Sequence, residues 1–196
     1  MDEVILTMDN LVRQGKIRYF GCSNFCPSTI VECLWSSERL KSTRLCCLQD
    51  EYNLLNRQAE LELLPICKRH QLGFIVYSPL ARGLLAGKYS EHEPLPESSR
   101  AGRGDKFIAK DWTSEKFQRL QEIKKIFSEY KEGLSQCAFA WLLHQEAVTS
   151  VMVGPRTLNQ FFDNMGALNV KIQPQTFEVL EAFRPVRGWG VPPLRS

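Results

Sequence analysis

The stretch Leu11-Val12-Arg13-Gln14-Gly15-Lys16-Ile17-Arg18-Tyr19-Phe20-Gly21-Cys22-Ser23-Asn24 reads as a helix end, a turn and a strand. Val4, Met8, Leu11 and Val12 recur at helical spacing, which predicts that the chain opens with a helix. Gly15 stands where a helix C-terminus favours positive φ. Residues 17–22 then have the composition of a short strand, with Ser23-Asn24-Phe25 at its C-terminal end, and Pro27 opens the next helix. One αβ unit is therefore followed by another helix.

The same order repeats along the chain. A helix near 28–40 precedes a β-rich run at 44–52, a helix near 58–70 precedes Gly73-Phe74-Ile75-Val76-Tyr77, and Ser150-Val151-Met152-Val153 precedes a helix from 158. Strands alternating with helices predict an α/β fold with a parallel sheet. Between the third and fourth strands lies a polar, glycine-containing stretch, 81–115. Two helices follow it, carrying Phe117, Leu120, Ile123, Phe127 and Tyr130, then Phe139, Trp141, Leu142 and Leu143. Gly73, Gly83, Gly87, Gly102 and Gly104 give the region after the third strand freedom to approach a ligand or close as a lid, and a variable surface insertion is the competing reading. No solenoid repeat is present. The chain divides into four loosely similar β/α units over 1–184 and an irregular tail over 185–196.

Composition narrows the function classes. The chain has 196 residues, 43% hydrophobic and 24% charged, which suits one globular core. The net charge of +3 comes from 25 basic and 22 acidic residues mixed along the chain, which argues against nucleic acid as a partner. Asp2, Glu3, Asp9 and Arg13 interrupt the apolar positions of residues 1–15, unlike a targeting peptide, and no run suits insertion into a membrane, so a cytoplasmic protein is expected. The seven cysteines show no zinc spacing, and no metal site is expected. They read as reduced thiols, and for Cys46-Cys47 packing is favoured over a redox sensor. An integrin role for Arg103-Gly104-Asp105 fits poorly with a cytosolic chain.

The segment 11–24 is followed by Gln49-Asp50-Glu51-Tyr52-Asn53-Leu54-Leu55-Asn56-Arg57, by Tyr77-Ser78-Pro79-Leu80-Ala81-Arg82-Gly83 and by Val153-Gly154-Pro155-Arg156-Thr157. In this order the four motifs resemble the later strands of the aldo-keto reductases, nearest to the branch holding bacterial reductases and potassium-channel β subunits. The resemblance covers the chain to about residue 184. It implies the C-terminal half of the family's domain: a partial (β/α)8 TIM barrel made of the last four β/α units. All four motifs fall at the C-terminal ends of predicted strands, the face on which barrel enzymes bind their ligands.

By that resemblance the cofactor is NADP(H). Ser23, Asn24 and Gln49 would hold the nicotinamide carboxamide, to which amides and hydroxyls can both donate and accept. Tyr77 would stack on the nicotinamide ring, or else serve as a core tyrosine. Ser78, Leu80, Arg82 and Gly83 belong to the loop that would embrace the pyrophosphate. Gly154 and Arg156 match the segment that grips the 2′-phosphate at a helix start. Gln160 and Asn164 share a helix face and would lie near adenine and ribose, although Thr157 and Gln160 also fit a capping box.

Carbonyl reduction in the family uses an Asp, a Tyr, a Lys and a His from the first four strands. No tyrosine (19, 52, 77, 89, 130) and no histidine (70, 92, 144) of this chain matches those positions, so no catalytic residue is carried over. The family function is NADP(H)-dependent oxidoreduction of aldehydes and ketones, and the expectation for this chain is a truncated, cofactor-binding half, inactive alone. A carbonyl substrate would require completion by an N-terminal half. Two alternatives stand beside it: a nucleotide-binding interaction or regulatory module resembling the channel β subunits, and one half of a split reductase. Open barrel edges would favour self-association or a protein partner.

Overall fold

Four short strands alternate with helices along the chain, each strand being followed by at least one helix. The computed structural model describes residues 1–87, 89–91, 101–102, 108 and 112–185. The strands are β1 (Gly21–Ser23), β2 (Cys47–Glu51), β3 (Gly73–Tyr77) and β4 (Val148–Val151). They form one parallel sheet in the order β1-β2-β3-β4. The helices are α1 (Asp2–Arg13), α2 (Pro27–Arg39), α3 (Leu63–His70), α4 (Ser114–Ile126), α5 (Leu134–Leu143), α6 (Leu158–Gly166) and α7 (Pro174–Leu180). This is an α/β fold whose four-stranded parallel sheet agrees with part of a (β/α)8 barrel.

Register decides which side chains share a face. Leu48 pairs with Phe74, and Asp50 with Val76, so these lie on one side of the sheet. Leu48, Phe74 and Val76 are buried in the core with Ile30, Leu120, Ile123 and Trp141. Ser23 pairs with Gln49, and Glu51 with Tyr77, which places these polar groups together on the opposite, half-exposed face.

Several predicted limits move. The first strand occupies Gly21–Ser23 rather than 17–22, because the Lys16 and Ile17 amides still bond back to the Leu11 carbonyl and finish the turn of α1. Gly15 holds that turn at φ 69°. In α1 the buried residues are Ile5 and Asp9, and Val4 is exposed. Asp9 faces inward because its carboxylate accepts from the Thr43 amide (2.9 Å) and hydroxyl (2.7 Å) and from Arg13 (2.7 Å). The predicted helix at 58–70 divides into a 3-10 turn, Gln58–Glu60, and α3. The fourth strand is Val148–Val151 rather than 150–153, since β3 offers its last pairing to the Met152 amide through the Val76 carbonyl (2.9 Å). Leu143, at the end of α5, is exposed.

The turn at 58–60 is fixed by a buried ionic cluster. Glu60 accepts from Tyr52 (2.7 Å), from Arg57 through both oxygens (2.5 and 3.0 Å) and from Arg184 (2.8 Å). Arg57 also donates to the Leu180 carbonyl and lies over the Trp141 ring. The cluster ties the segment after β2 to the end of α7. Cysteine packing is mixed: Cys33, Cys67 and Cys137 are buried, Cys22 and Cys47 half-buried, Cys26 and Cys46 exposed, and all seven are free thiols. The Arg103-Gly104-Asp105 tripeptide, His92, much of the stretch 81–115 and the tail from 186 lie outside the described residues.

Candidate functional site

The C-terminal ends of the strands carry a chain of polar side chains. Asn24, just past β1, takes φ 58°, and its amide donates to the Gln49 carbonyl of β2 (3.1 Å). Its side-chain Nδ2 donates to Ser23 Oγ (2.9 Å), and Ser23 Oγ makes a long bond to Gln49 Oε1 (3.5 Å). Tyr77, at the end of β3, donates its hydroxyl to Asn24 Oδ1 (2.7 Å). Burial, and then the charges of Asp50 and Glu51, raise the Tyr77 pKa, so its phenol remains a protonated donor. Ser23 and Asn24, Gln49, and Tyr77, from three different strand ends, thus form one patch of donors and acceptors.

Tyr77 leads directly into the second part of the site, a groove of about 460 Å³. Ser78, Leu80, Arg82 and Gly83 form one wall, with Gly154, Arg156, Gln160 and Asn164 among the residues of the other. The first wall has an unusual backbone: Ser78 (φ 50°), Ala81 (φ 47°) and Arg82 (φ 56°) are all left-handed. Each such non-glycine residue costs about 1–2 kcal/mol, which contacts with its surroundings must offset. The loop is closed by bonds from the Ala81 amide to the Ser78 carbonyl (2.9 Å) and from the Gly83 amide to the Leu80 carbonyl (2.8 Å). Gly83 is required there, since it has φ 103° and a Cβ would stand 3.2 Å from the Tyr89 ring. At Gly154 a Cβ would meet nothing within 4 Å, so the groove is open above it.

On the second wall, Gln160 takes part in the helix cap and also borders the groove. Thr157 caps α6 by accepting from the Gln160 amide (3.2 Å), while Gln160 Oε1 accepts from the Arg156 amide (2.7 Å), and Gln160 also lines the groove. Arg156 is thereby held at the start of α6, where the helix dipole favours an anion. Tyr89, Ser135, Phe139, Met152 and Asp163 also line the groove and were not singled out from sequence. Ser135 and Phe139 share a face of α5 by their spacing, but only packing against α6 turns that face toward the groove. The Asp163 carboxylate accepts from Ser135 (3.2 Å) and Gln136 (2.8 Å).

The described histidines lie elsewhere. His70 ends α3 and its carbonyl accepts from Arg44 (2.5 Å), while His144 caps α5 with its ring Nδ1 at the Ala140 carbonyl (2.7 Å). Among the described residues no group of three or more His, Cys, Asp or Glu side chains is placed to hold a metal ion. Among them, too, no helix is long and apolar enough to cross a membrane.

The model of the Aldo/keto reductase family matches residues 1–185. A protein of Bacillus subtilis (strain 168) named Uncharacterized oxidoreductase YrpG is 30% identical over 192 residues, 97% of this chain and 56% of that protein. A protein of Oryza sativa subsp. japonica named Probable voltage-gated potassium channel subunit beta is 31% identical over 186 residues, 93% of this chain and 57% of that protein. The chain therefore spans just over half the length of these relatives. With a family match over nearly all of its length and a parallel α/β sheet bearing polar groups at its strand ends, this chain belongs to the aldo/keto reductase family.

Proposed function

We propose that this chain is the NADP(H)-binding part of an aldo/keto reductase, its residues 1–184 corresponding to the last four β/α units of the barrel and 185–196 to a tail. The observation that carries the reading is the continuity of the polar patch at Ser23, Asn24, Gln49 and Tyr77 with the groove between Ser78–Gly83 and Arg156. A dinucleotide needs both: an amide-rich end for a carboxamide and a cationic, backbone-lined groove for phosphates.

Ser23, Asn24 and Gln49 would hold the nicotinamide carboxamide, and Tyr77 would cover one face of the ring. The loop 78–83 would surround the pyrophosphate. Arg156 would hold the 2′-phosphate that separates NADP(H) from NAD(H), with Gln160 and Asn164 on the adenosine side. When bound, the cofactor supplies a hydride equivalent for the reduction of an aldehyde or ketone. The Asp, Tyr, Lys and His that such a reduction requires have no counterpart in this chain, so it binds cofactor without reducing carbonyls unless an N-terminal half completes it. Its place of action is the cytosol.

The test is titration of the purified chain with NADPH and NADH by fluorescence. Micromolar binding of NADPH, weaker binding of NADH, and a loss of roughly tenfold or more with Arg156→Ala, equivalent to ~1.4 kcal/mol, support the reading. Absence of binding by a folded sample refutes it, and steady carbonyl turnover by the chain alone refutes the assignment of catalysis elsewhere.

A second reading, an interaction module, is favoured by the exposed apolar side chains Leu158, Phe161, Phe162 and Met165 on α6 and by the name of the rice relative. In that reading the nucleotide is a structural or sensing ligand and the apolar edge meets a protein.

A further inference from the structure

Asn53 lies outside the groove, fully buried after β2, and every hydrogen-bonding position of its side chain is used. Oδ1 accepts from the amides of Leu55 (3.0 Å) and Asn56 (2.8 Å). Nδ2 donates to Glu51 Oε1 (3.2 Å) and to the carbonyl of Ser78 (3.0 Å). The backbones of Asn53 and Asn56 also exchange two hydrogen bonds (3.0 and 3.1 Å), so the residue sits in a closed turn with little freedom. Its amide reaches across from the end of β2 to the first left-handed residue of the groove loop.

That carbonyl is a sensitive place. Ser78 opens the loop at φ 50°, and the same oxygen accepts from the Ala81 amide, itself left-handed at φ 47°. A loop containing three left-handed non-glycine residues needs an outside constraint to hold one shape. Asn53 supplies it, because a carboxamide can accept from two amides of its own turn and still donate to the loop.

We propose that Asn53 is a positioning residue of the dinucleotide site: by holding the Ser78 carbonyl it presets the loop 78–83 in the shape that receives the pyrophosphate. It touches no ligand and acts through Ser78. The inference rests on the NADP(H) reading above.

The experiment compares Asn53→Asp with the unaltered chain, using NADPH and adenosine 2′,5′-bisphosphate as probes. The second probe reaches the Arg156 wall but has no pyrophosphate bridge. The aspartate keeps the shape and the two acceptor positions but sets a carboxylate against the Ser78 carbonyl and Glu51. The expected result is a loss of about tenfold or more in NADPH affinity with the bisphosphate affinity changed less than about twofold, a selectivity that general destabilisation does not produce. Equal loss for both probes, or no loss, overturns the proposal. If the variant does not fold, amide hydrogen exchange on the unaltered, unliganded chain decides: protection of the Ala81 and Gly83 amides supports a preset loop, and exchange at unprotected rates overturns it. Failure of the unaltered chain to bind either probe removes the NADP(H) reading itself, and the inference with it. Binding of the bisphosphate without NADPH leaves the Arg156 wall standing and overturns the preset loop.

Discussion

Tyr77 makes two separable contributions, its hydroxyl fixing Asn24 Oδ1 and its ring presenting a face. Tyr77→Phe removes one hydrogen bond between partly exposed groups, worth about 1 kcal/mol, and should weaken NADPH binding roughly fivefold. Tyr77→Ala removes the stacking surface as well and should cost roughly tenfold more; equal titration curves for Phe and Ala variants would rule out a stacking role. Cys26 offers a second prediction. Its thiol is exposed at the N-cap of α2, and hydroxyls of Ser28 (3.2 Å) and then Thr29 (2.9 Å) hold its pKa down to about 7. Because the lowered value favours the thiolate, alkylation of Cys26 by iodoacetamide should rise as pH passes upward through about 7. Burial pushes Cys67 up to about 12 and Cys137 up to about 11, and both should stay unlabelled in the folded chain. Peptide mapping by mass spectrometry after short exposure at several pH values reads this directly, and labelling of Cys67 before Cys26 would contradict it.

Between elements, a buried ionic cluster around Glu60 couples the turn after β2 to the end of α7. The side chains of Arg57 and Glu60 are both 3% exposed, so neither charge is screened by water. Removing Glu60 leaves the buried Arg57 charge with only a longer contact to Glu181 (3.5 Å), and Glu60→Ala should cost about 3 kcal/mol in urea unfolding. Glu60→Gln keeps an acceptor for Tyr52 and should lose less. If the alanine variant unfolds at the same urea concentration as the unaltered chain, the cluster does not hold the turn after β2 against α7. Gly83→Ala tests a different junction, where φ 103° and the Tyr89 ring exclude a side chain. A lower melting temperature together with weaker NADPH binding is expected, because the wall and the loop are the same residues.

For the whole molecule, the notable surface is the apolar side of α6. None of its residues is buried, and Leu158, Phe161, Phe162 and Met165 recur at helical spacing while Gln160 and Asn164 turn to the groove. Strands β1 and β4 each have a neighbour on one side only within the described sheet. The purified 196-residue chain should therefore associate with rising concentration, and Leu158→Lys with Phe162→Glu should shift it toward monomer in light scattering without loss of the groove. An unchanged mass distribution would place the association elsewhere.

The order of αβ units, the parallel sheet and the position of the site motifs at strand ends were legible in the amino-acid order alone. These follow from local information: hydrophobic period, Gly15 at a helix end, Pro27 at a helix start. The bounds of β1 and β4 were not legible, because a strand extends only as far as its neighbour offers partners. The inward-facing Asp9 was missed for the same reason, its partner Thr43 lying 34 residues away. At the site, the motif residues could be read as types, but their union into one patch and groove required the register of β1, β2 and β3. Asn53 was visible only as part of a motif. Its bond to Ser78 spans 25 residues, and the left-handed loop that gives it meaning exists only where tertiary contacts outweigh the local preference of the backbone.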